Sequence, residues 1–87
     1  MGTKQEELQS TTGCLAKAAY DEPLFILRAQ DKTAPAAVRA WSHGVRMEHH
    51  LAGTLLSSKL LQKLQEAEDL ARRMEAWQRE HGCKVPD

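Results

Sequence analysis

Five basic side chains, Arg28, Lys32, Arg39, His43 and Arg46, are the residues of this chain whose types and spacing could do chemistry together. From Lys32 onward they follow one another at steps of seven, four and three, and His50 lies four further on. On a helix those steps share one face. A helix start attracts phosphate or carboxylate through its free N–H groups and its partial positive charge. Arg28 would approach the same anion from the preceding segment, with Trp41 or Tyr20 as a flat surface for a base. One expectation is therefore an anion or nucleotide pocket, with Arg28, Lys32, Arg39, His43 and Arg46 as ligand-binding residues and Asp31 capping and orienting the helix. The competing expectation is a solvated face whose cations pair with Glu66, Glu68 and Asp69 across a helix interface. Charged helix faces are usually just hydrated, which weights the second.

Other groupings carry less. Asp21, Glu22 and Asp31 surround an apolar run, and paired carboxylates perform acid–base chemistry only when held at a defined separation. Helix termination and capping account for them better. His43, His49, His50 and His81, with Cys14 and Cys83, lack the spacing of a structural zinc site, and the adjacent His49 and His50 would point about 100° apart on a helix. Cys14 has Lys17 one turn on but no histidine nearby in sequence, so it reads as a small packed side chain. No phosphate-binding glycine loop, zinc-protease helix or nucleophile elbow is present. No catalytic residue, metal ligand or cofactor is expected.

The chain has 87 residues, with twelve basic and twelve acidic side chains that cancel. A nucleic-acid binder draws most of its affinity from a basic excess, so non-specific nucleic-acid binding is disfavoured. Two cysteines are too few for a disulfide scaffold. No basic and apolar leader and no long apolar run occur, so a soluble, cytoplasmic protein with reduced thiols and no membrane association is expected. Tyr20, Phe25, Trp41 and Trp77 are the only aromatics. A core of Leu, Ala, Val and Met on so short a chain is marginal alone, and a homo-oligomer, a dimer first of all, is expected.

The elements that must position these residues read as mainly α. Residues 1–11 are polar and are expected as a flexible segment with at most a frayed helical turn, ahead of a single helical domain over 12–87. Thr12 is placed to cap a short helix through Gly13–Tyr20, which Pro23 ends. Leu24-Phe25-Ile26-Leu27 reads as an extended run, either packed under helices or paired with the same run of another subunit. A second helix starts at Asp31 or Thr33, with Pro35 in its first turn and an apolar stripe of Ala34, Ala37, Val38, Trp41 and Val45. Gly53-Thr54 and Ser57-Ser58 mark a break. The last helix runs from Ser57 or Ser58 to His81, with Leu60, Leu64, Ala67, Ala71 and Met74 on one face and Leu61, Leu70 and Trp77 flanking. Gly82 would terminate it in the left-handed region, and Lys84-Val85-Pro86-Asp87 would trail away. Two principal antiparallel helices, a short N-terminal helix and one extended segment are the expected architecture, and could be half of an intermolecular bundle.

Gly13-Cys14-Leu15-Ala16-Lys17-Ala18, the run Asp21–Asp31, Ala34-Pro35, Val38-Arg39 and Trp41 resemble a group of short uncharacterised bacterial, phage and prophage proteins. Ala71–Trp77 and Lys84–Asp87 share that resemblance, which leaves out residues 44–65. The group has no established activity to carry over to any residue. The resemblance implies a small protein in a host bacterial cytosol that binds or blocks something rather than catalyses. The leading expectation is a non-enzymatic counter-defence protein that captures an anionic small molecule, such as a signalling nucleotide, or masks a host protein. The alternative is a helical interaction module that covers a protein partner without any small ligand, sensitive at Leu61, Leu70 and Trp77.

Overall fold

The computed structural model describes residues 2–85, so Met1, Pro86 and Asp87 lie outside it, including the last part of the expected trailing tail. The described residues are mainly helical and contain no strand: α1 is Lys4–Gln9, α2 Cys14–Lys17, α3 Ala34–Ala52 and α4 Ser58–His81. At the standard rise α3 is about 28 Å long and α4 about 36 Å. They form an antiparallel hairpin. The chain just ahead of α3 meets the last turn of α4, where the Gln78 side-chain amide donates to the carbonyls of Ala29 and Asp31, both at 2.9 Å.

The hairpin turn follows from a glycine and a serine. Gly53 takes a left-handed conformation (φ 69°, ψ 22°) at the end of α3. Its N–H donates to the His50 carbonyl and that of Thr54 to the His49 carbonyl, which closes the last orphan carbonyls of the helix. Four residues on, the Ser57 hydroxyl accepts from Leu60 N–H at 3.1 Å and starts α4.

The two long helices meet along alternating steps of three and four. Pro35, Val38, Ser42, Val45 and His49 of α3 are buried or half-buried, as are Leu60, Leu64, Ala67, Ala71, Met74 and Gln78 of α4. The α4 face is the expected one. On α3 the expected stripe is displaced: Ala37 and Trp41 are exposed, and Ser42 at 2% exposure takes the central place. The reason is volume. A seam built from Ser42, Ala67 and Ala71 brings backbones close, and an indole would hold them apart. The resulting core is small, with Leu64 its only fully buried large side chain among the described residues.

The N-terminal part departs from expectation in detail. α1 is capped by the Thr3 hydroxyl, which accepts from Glu6 N–H. Thr12 does not cap α2; Gly13 holds that position without a side-chain bond, and the Glu7 carboxylate of α1 accepts from Leu15 N–H at 2.8 Å instead. α2 spans only Cys14–Lys17, because Ala18 already turns extended and Glu22 accepts from Ala19 N–H in the following turn. Among the described residues, a single ion pair, Arg73–Glu6 at 4.0 Å, reaches from α1 to the hairpin. From Pro23 to Arg28 the chain belongs to no helix, strand or turn.

Beyond α4, Gly82 has positive φ (83°) but an extended ψ of 173°, not the left-handed helical pair expected. That geometry, accessible essentially to glycine, sends the chain back toward α3 rather than away. Lys84 N–H donates to Gln30 O (2.9 Å) and Lys32 N–H to Lys84 O (2.8 Å), a parallel bridge at Asp31 and Lys84.

Candidate functional site

The five basic side chains lie on two different parts of the hairpin. Arg28 and Lys32 belong to the tight segment before α3, whereas Arg39, His43 and Arg46 follow along the helix. From Ala34 to Arg46 is about 18 Å of helix, beyond what one small anion could bridge. The helix start also offers little to an anion. Ala34 N–H donates to the Asp31 carbonyl, Pro35 has no N–H, and Ala34 and Pro35 are both buried. Asp31 does not cap α3: its carboxylate turns back to accept from Arg28 N–H at 3.3 Å. The capping position is Thr33, whose side chain makes no cap bond.

Arg39 is taken up within the fold. Its two terminal nitrogens donate to the Glu75 carboxylate at 3.0 and 2.7 Å, and its Nε lies 3.6 Å from Glu68. A planar fork facing a carboxylate across two helices is the strong form of this pair. The hydrogen bond to Arg39 holds Glu75 below the ordinary carboxylate range, with partial desolvation opposing and Arg79 and Arg72 adding to the pull. The same hydrogen bond raises the Arg39 guanidinium. Arg28, Lys32, His43 and Arg46 are exposed. The interhelical pairing foreseen with Glu66, Glu68 and Asp69 therefore runs through Glu68 and, unforeseen, Glu75. Asp69 pairs instead with Arg72 on its own helix.

Arg39, His43, Arg46 and His50 lie to one side of the α3 seam, and Ala37 and Trp41 to the other, given 100° per residue. On α4 the same division puts Glu68 and Glu75 opposite Leu70. The hairpin thus has a charged flank, tied by Arg39, and an apolar flank centred on Trp41 and Leu70, whose margins carry Glu48, Lys63 and Glu66. The apolar flank holds an open hollow of about 410 Å³ lined by Phe25, Leu27, Ala37, Val38, Trp41, Ala67 and Leu70. The lining is all apolar, yet much of it faces solvent: Phe25 is 87% exposed and Trp41 46%, and neighbouring Leu24 and Ile26 are 53% and 71% exposed. Leu27 is half-buried and lines the hollow together with Val38, Ala67 and Leu70 of the helices. Leu61, grouped from the sequence with Leu70 and Trp77, falls on the charged flank instead.

Near the end of α4, Trp77 and His81 stack with ring centres 4.2 Å apart, and His81 Nδ1 is 3.1 Å from the Trp77 carbonyl. Nδ1 must carry the proton that this carbonyl accepts. Cys14 and Cys83 are both free and exposed. No group of three or more metal-ligating side chains occurs among the described residues, and no described helix is long and apolar enough to cross a membrane.

Comparison with protein families, curated proteins and solved structures finds no match to this chain. The class that the fold and the site define is a helical hairpin with one charged and one apolar flank.

Proposed function

We propose that this protein is a non-enzymatic interaction module that acts by covering a protein surface with its apolar flank. One observation carries the reading: the exposed hollow of Phe25, Leu27, Val38, Trp41 and Leu70, beside the bare run Leu24-Phe25-Ile26. A contiguous apolar patch of this kind marks an interaction site more often than an inert surface, and aromatic anchors dominate interface energies. Anion capture is the weaker reading, because Arg39 would have to leave Glu75 and Glu68 to serve a ligand.

A photo-crosslinking amino acid at position 25 or 41, in cells producing the protein, tests this. Adducts are expected from both positions and none from position 62, on the outer face of α4. Silence at 25 and 41 would overturn the reading.

A further inference from the structure

We propose that the surface covering the apolar flank is a second copy of this chain, in a two-fold dimer that joins two hairpins into a four-helix bundle. This rests on the interaction-module reading and names its partner.

Area is the first argument. The chain exposes 6985 Å², whereas a compact monomer of its mass exposes roughly 5,200 Å². The excess of about 1,800 Å² per chain lies in the range that an obligate homodimer buries. The shape agrees, since the radius of gyration is 14.4 Å against about 12 Å for a compact chain of this length. Part of that excess belongs to α1 and α2, but the exposed side chains of Leu24, Phe25, Ile26 and Trp41 place a large apolar share on this flank.

Charge is the second. None of the seven residues lining the hollow is charged. The twelve basic and twelve acidic side chains cancel, so a second copy brings neither like charge into the hollow nor net repulsion to the encounter. The charges at its margins, Glu48, Lys63 and Glu66, are of mixed sign, so a partner of one marked charge meets no matching field there.

Self-complementarity is the third. An isologous interface needs each copy to present both a projection and its receptacle. This flank has both side by side: the projecting Leu24-Phe25-Ile26 run and the hollow floored by Val38, Ala67 and Leu70. A two-fold axis through the flank sets the Phe25 ring of one copy at the hollow of the other. Burying four rings, Phe25 and Trp41 from each copy, supplies the core that the isolated hairpin lacks.

Sedimentation velocity of the full chain over a concentration series is the test. A species of twice the 9.8 kDa chain mass is expected, and a monomer at every concentration overturns the proposal. Trp41→Asp should dissociate the dimer, while Ala76→Asp on the outer face of α4 should leave it intact; a dimer that survives Trp41→Asp overturns the assigned face. Because the Trp41→Asp chain can fail to fold once unpaired, a photo-crosslinker replacing Phe25 in purified, otherwise unaltered protein gives a second measurement. Adducts of twice the chain mass should form and map to residues 37–41 or Leu70 of the second copy. Adducts confined to single chains, which Phe25 can give within its own hollow, or intermolecular adducts mapping elsewhere, count against the dimer. A monomeric purified chain whose positions 25 and 41 still crosslink another protein in cells would sink the dimer alone. Silence of both positions in cells sinks the interaction reading with it.

Discussion

Arg39 has two competing uses for its donors, an external anion or the carboxylates of α4, and Glu75 occupies both terminal nitrogens. Its pairing makes an acid-sensitive tie between the helices. Glu75 titrates lower in the folded chain than unfolded, so its contribution is full above its unfolded value and is lost as pH falls through the folded one. The thermal midpoint of the unaltered chain should exceed that of Glu75→Gln at about pH 7, and the gap should narrow as the pH is lowered through and below the ordinary carboxylate range. Arg39→Ala combined with Glu75→Gln should cost less than the two single changes added together, because both remove the same tie. Gln78 is a neutral counterpart at the other end of the hairpin. Gln78→Ala removes two hydrogen bonds to partly buried carbonyls and should cost about 1–3 kcal/mol in urea unfolding.

At the level of elements, the hairpin depends on its two turn residues more than on the start of α3. A Cβ at Gly53 would meet nothing within 4 Å, so Gly53→Ala should cost about 1 kcal/mol, from the left-handed backbone alone. Ser57→Ala should cost a similar amount, about 1 kcal/mol, through the lost cap bond to Leu60 N–H. Thr33→Ala provides the contrast: its side chain caps nothing, and denaturant midpoints should show almost no change. A Thr33→Ala cost as large as that of Ser57→Ala would mean that the Thr33 hydroxyl does cap α3.

The whole molecule is a two-helix seam with an outlying N-terminal pair of short helices. Leu64 lies at its centre with no exposure, and Leu64→Ala should destabilise by about 2–5 kcal/mol, read from chemical denaturation. Removing residues 1–11 should leave the midpoint nearly that of the hairpin, since the polar link from α1 to it among the described residues is one exposed ion pair, Glu6–Arg73. A large loss of stability on that truncation would mean that α1 packs more tightly than its single ion pair indicates.

Local chemistry was enough to read much of the chain. The break around Gly53 and Ser57, the extent of α4, its face from Leu60 to Met74 and the interruption of helix at Pro23 all follow from capping residues, proline and spacing, which act within a few positions. Three features required the tertiary structure. The α3 stripe moves from Trp41 to Ser42 because the width of the seam is set by Ala67 and Ala71 on the other helix. Asp31 turns to Arg28 while Gln78 and Lys84, some fifty residues away in sequence, complete that corner. Arg39 belongs to Glu75 and Glu68 because the antiparallel register brings those carboxylates within reach. Spacing along one helix places like residues on one face; only the packing of the second helix decides which face becomes core, which charges are neutralised and which apolar side chains remain outside.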